Sequence, residues 1–72
     1  MKTLDVVAVT EDLPEKGLRR GQVGTLVESL APGVYEVEFA DTEGRAYAMV
    51  AIPENKLMVL HHRPEEGGRR AA

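Results

Sequence analysis

The chain has 72 residues and no cysteine, with nine Lys and Arg against twelve Asp and Glu for a net charge of −3. That length excludes a second domain and leaves a core small enough that association, in the absence of disulfides, is the natural source of further burial. Residues 1–60 carry six basic and ten acidic side chains, net −4, and residues 61–72 carry three against two, net +1, so the acidic globular part repels phosphate backbones and points toward a protein partner.

Asp5-Val6-Val7-Ala8-Val9 is a short β-branched run and predicts the first strand. The preceding Met1-Lys2-Thr3-Leu4 meets an acid before any apolar leader core forms, which together with the missing cysteines predicts a cytoplasmic protein. Residues 10–20 mix charges with Pro14 and Gly17 and hold no helical period, so they read as a long loop. Within it Lys16, Arg19 and Arg20 form the basic cluster of the folded region, a candidate anion or acidic-partner loop. Residues 21–30 predict a second strand in which Gly21 and Gly24 suit a bulge or a close backbone approach. Ala31-Pro32-Gly33 reverses the chain, because Pro fixes one φ and Gly permits a positive one.

The third strand, residues 34–40, has the clearest period: Tyr35, Val37 and Phe39 alternate with Glu36 and Glu38, giving a core face and a wet face. Asp41-Thr42-Glu43-Gly44 turns the chain into a fourth strand over residues 45–52. Neither face of that strand is polar: Ala46, Ala48, Val50 and Ile52 lie on one and Tyr47, Met49 and Ala51 on the other. Its nearly uncharged run, residues 46–53, is far too short to cross a bilayer, which takes roughly twenty apolar residues. Pro53-Glu54-Asn55-Lys56 breaks the pairing as a single 3₁₀ turn before the last strand, residues 57–60. Five short strands in this order predict an all-β domain over residues 1–60, a small closed or half-closed barrel whose closure removes exposed edges. From residue 61 on the composition turns to His, Arg, Pro, Glu and Gly, and residues 67–72 hold no apolar side chain larger than Ala, so residues 61–72 are expected to be a disordered, flexible tail.

The residues offer little chemistry. A nucleophile beside a base is missing, since Ser29 is the lone serine and both histidines, His61 and His62, stand in the expected tail. Neighbouring histidines on an extended chain point apart, so no metal site is expected. Glu36 and Glu38 project from one face about 7 Å apart and read as a solvated rim rather than a catalytic pair. No enzyme activity and no cofactor are expected.

Several segments carry a resemblance: residues 5–9, Glu11-Asp12-Leu13-Pro14, Gly17-Leu18, Arg20-Gly21-Gln22-Val23-Gly24-Thr25, Tyr35-Glu36-Val37-Glu38-Phe39 and Pro53-Glu54-Asn55-Lys56-Leu57. Over residues 4–60 the chain resembles a bacterial family catalogued as domain of unknown function 4926, a resemblance that brings no activity with it. More distantly, Gly21-Gln22-Val23-Gly24 ahead of an apolar strand is similar to SH3-like barrels, including the KOW modules of ribosomal and transcription-factor proteins. This similarity implies a five-stranded SH3-like barrel. KOW modules surround the motif with Lys and Arg, whereas here acids follow it. The function expected is a non-enzymatic protein-interaction module, self-associating or acting as an antitoxin-like or immunity-like partner of a neighbouring gene's product. Tyr47, Met49 and Met58 are its candidate partner-binding residues, and the alternative is a KOW-like nucleic-acid-binding module using Lys16, Arg19 and Arg20.

Overall fold

The computed structural model describes residues 1–41 and 43–61. The expected tail, residues 61–72, lies outside them except for His61. Five strands form: β1 (Val6–Val9), β2 (Val23–Ala31), β3 (Val34–Ala40), β4 (Ala46–Pro53) and β5 (Leu57–Val59). All pair antiparallel in one sheet of order β4-β3-β2-β1-β5. The all-β architecture is therefore as expected, but the sheet is not closed: β4 and β5 are its two edges and no ladder joins them.

The sheet still curls strongly around its core, because a three-residue 3₁₀ turn, Glu54–Lys56, carries the chain from one edge to the other. At its start Glu54 N–H donates to the Gly33 carbonyl (2.7 Å), and at its end the Lys56 carbonyl accepts from Thr10 N–H (3.0 Å). One short turn thus touches both the β2–β3 reversal and the end of β1.

The alternation in β3 places Val37 and Phe39 inside with no exposed surface. Register extends that layer sideways, with Leu26 and Val50 flanking Val37 and Ala48 beside Phe39. Val7, Val9, Ile52 and Leu57 complete the buried cluster. Tyr35 was expected in the core beside them and is instead half-buried at its rim, since its hydroxyl reaches to 3.5 Å from Glu54 Oε1 and an apolar interior offers it no partner.

Gly24 is the position where β2 comes closest to β3. A Cβ there would lie 2.7 Å from Val37 Cγ1, 2.8 Å from the Glu38 carbonyl oxygen and 2.9 Å from Phe39 Cδ1, so only a hydrogen fits. Two leucines of the long loop also belong to the core. Leu13 and Leu18 are each 3% exposed and bridge to one another through two backbone hydrogen bonds of 2.9 and 3.1 Å. The 3₁₀ turn Pro14–Lys16 closes this small hairpin. The loop is therefore pinned at its centre although its tip is wet.

Candidate functional site

β4 presents an exposed apolar surface. Ala48 and Val50 pack against the core and Ile52 is buried within it, which turns Met49 and Ala51 to the sheet's other face. Tyr47 remains 54% and Met49 55% exposed. The row is bordered by β3 carboxylates, since Met49 stands opposite Glu38 and Ala51 opposite Glu36. Glu36 in turn faces Glu28 of β2. A strand bearing no charge thus lies along the free edge of a sheet whose outer face is acidic.

Tyr47 is aimed by a bulge. Phe39 pairs with Ala48 while the next residue, Ala40, pairs with Ala46, so Tyr47 is the extra residue of β4. Bulges of this kind redirect a side chain and tighten local twist. Here the Tyr47 ring sits 6.3 Å from the buried Phe39 ring at 31° between planes, and its hydroxyl accepts from Gln22 Nε2 at 3.0 Å. The ring is held in place before anything binds to it.

Gln22 does more than hold Tyr47. Its Oε1 accepts from Arg19 N–H, and its backbone N–H donates to the Arg19 carbonyl at 3.1 Å. The amide of Gln22 thus ties the basic turn to the aromatic ring. Arg20 N–H donates to Asp12 Oδ1 at 2.8 Å, which fixes the other side of that turn. Lys16, Arg19 and Arg20 are exposed, and among the described residues none has a carboxylate within 4.0 Å. Arg45 and Lys56 are paired instead: Arg45 lies 3.3 Å from Asp41 and 3.0 Å from Glu43, and Lys56 lies 3.2 Å from Glu11.

The structure separates one expected residue from the rest. Met58 is 52% exposed, but it stands on β5 at the opposite edge, with three strands between it and β4. Gln22 links Tyr47 to the Arg19–Arg20 turn and Met49 lies on the same strand as Tyr47, whereas Met58 has Ala8 beside it. Gln22, Asp12, Leu13 and Leu18 were missed as supports of the surface. Leu13 before Pro14 and Leu18 after Gly17 was the available signal for the pinned loop, a pair of large apolar residues flanking a turn sequence. For Gln22 no local signal existed, because its partner is 25 residues away.

A second feature lies at the chain's start. Met1, Lys2, Leu4, Asp5, Val6, Val59, Leu60 and His61 line an open groove of about 730 Å³. Leu4 is 72% exposed and has φ 75°, the left-handed region that side chains with a Cβ avoid. Its N–H donates to the Leu26 carbonyl at 2.7 Å, which holds it there. Among the described residues no three His, Cys, Asp or Glu side chains converge to hold a metal ion, and no helix is long and apolar enough to cross a membrane.

The family model described as a domain of unknown function, DUF4926, matches residues 3–59, and the chain belongs to that family. No curated protein and no solved structure matches it.

Proposed function

We propose that this DUF4926 member is a non-enzymatic interaction module that engages a protein through the outer surface of β4, with Tyr47 and Met49 as its anchors. The observation that carries the reading is the exposure of those two side chains, 54% and 55%, on an edge strand with no charge between Arg45 and Glu54. Exposed apolar edges attract other chains, and proteins that stay single blunt them with charge. The tether from Gln22 supports the same reading, since an aromatic ring fixed in advance loses less freedom on binding.

The finer architecture we assign is an SH3-like half-barrel. The long pinned loop between β1 and β2, the place of β1 between β2 and β5, and the 3₁₀ turn before a short last strand support it. A cytoplasmic setting and an antitoxin-like or immunity-like pairing with a basic protein are concrete versions that rest on the acidic charge and the small size. One observation favours a second reading, binding of nucleic acid: Lys16, Arg19 and Arg20 project unpaired, among the described residues, from a loop that Leu13 and Leu18 hold rigid.

The test is the Tyr47→Lys, Met49→Lys double variant. Both side chains lie outside the core, so the variant is expected to unfold with the wild type's cooperativity while losing association in sedimentation. A variant that fails to fold, or associates as the wild type does, refutes the proposal.

A further inference from the structure

We infer that the occupant of the β4 edge is a second copy of the chain, paired antiparallel to it with the twofold axis at Val50. The inference rests on the interaction surface proposed above and names its partner.

β4 is bounded at both ends by devices that stop a ladder. At one end Tyr47 is the bulged residue, and at the other Pro53 has no N–H to donate. Between them Ala48-Met49-Val50-Ala51-Ile52 pairs with β3 in unbroken register and offers its other side to no strand among the described residues. Val50 is the middle of these five residues. Pairing the segment with itself in reverse sets Val50 against Val50, Met49 against Ala51 and Ala48 against Ile52 of the second copy. Residues directly opposite in an antiparallel pair share a face, so outward side chains meet outward ones and the two core layers become continuous. A large side chain meets a small one at both flanking positions.

Charge selects the same direction. Arg45 precedes β4 and Glu54 follows it, so antiparallel pairing brings each arginine toward the other copy's glutamate. Parallel pairing would place like charges side by side at both ends. The opposite edge of the sheet is a poor competitor, since β5 has only three residues, Leu57–Val59.

The absence of cysteine from the sequence gives a clean test by engineered thiols. Opposed residues have Cα atoms about 4.5 to 5.5 Å apart, within disulfide reach, whereas residues offset by two positions are about 8 Å apart and outside it. An equimolar mixture of Met49→Cys and Ala51→Cys chains, oxidised at about 100 μM, is expected to give the mixed covalent dimer at least tenfold faster than either variant alone or Met58→Cys. Equal rates in all four samples, or a faster Met49→Cys homodimer, overturn this pairing. Wild-type sedimentation, run beside it, separates the two failures. A dimer that gives no mixed disulfide refutes the β4 pairing and leaves the interaction surface standing. A monomer at that concentration refutes the second copy as occupant.

Discussion

Gly24→Ala is the sharpest probe of the packing that holds the site. The added methyl would sit 2.7 Å from Val37 Cγ1, 2.8 Å from the Glu38 carbonyl oxygen and 2.9 Å from Phe39 Cδ1, against ordinary contacts of about 3.4 to 4 Å. Neither neighbour can retreat, because Val37 and Phe39 have no exposed surface and the oxygen belongs to the β3 backbone. β2 and β3 must part by several tenths of an ångström, at a cost toward the upper end of the about 1–3 kcal/mol typical of overpacking. For a domain of this size each kcal/mol moves Tm by about 4–8 °C, so the expected loss is about 10–20 °C. Gly33→Ala is the control: its φ of 75° strains a Cβ, but nothing lies within 4 Å of one, and the expected cost is near 1 kcal/mol, about 4–8 °C. Thermal unfolding followed by far-ultraviolet dichroism ranks the two. If Gly24→Ala melts within about 3 °C of the wild type, or above Gly33→Ala, the close approach of β2 to β3 is wrong.

Leu18→Ala, although in a loop, is expected to cost about 2–5 kcal/mol in chemical denaturation, since Leu18 is 3% exposed in the core cluster. A loss below about 1 kcal/mol would mean the loop is not pinned. Leu4→Gly is expected to raise Tm by a few degrees, because it removes about 1 kcal/mol of left-handed strain from a side chain that is 72% exposed; a fall in Tm would show that the Leu4 side chain packs against something. Glu11→Ala breaks the Lys56 pair at 3.2 Å, yet both side chains are partly solvated (32% and 56% exposed), so stability should change by less than about 1 kcal/mol. Gel-shift titration with unspecific RNA at about 150 mM salt should show no binding tighter than about 1 μM, and tighter binding would favour the loop reading over the β4 surface.

The strands were legible because their signal is local. β3 falls on residues 34–40 as its alternation predicts, and the other strands agree to within two residues at either end. Val37 and Phe39 are core for the same reason. What failed to show in the sequence is what depends on distant partners. The stretch from 10 to 20 has no period, yet Leu13 and Leu18 are core residues, because a loop that folds back needs only two apolar contacts and not a repeat. Tyr35 follows the apolar alternation but is drawn to the rim by its hydroxyl. Barrel closure was inferred from the instability of open edges, whereas the sheet keeps β4 and β5 apart as its two edges. The outward placement of Met49 follows from β3, since that strand's wet face carries Glu36 and Glu38 and register sets Met49 beside Glu38. The bulge that aims Tyr47, and its link through Gln22 to the basic turn, could be found only in three dimensions.

Amide hydrogen exchange of the unmodified protein at two concentrations tests the central claim, that another chain covers the β4 edge, without altering a residue. Pairing with a second copy satisfies backbone groups of residues 48–52 that a lone chain leaves to water, and mass action populates it as concentration rises. Between about 5 μM and 500 μM, exchange in β4 should slow at least tenfold while β5, the other edge, keeps its rates. Identical rates in β4 at both concentrations, or equal slowing in β5, would contradict the account.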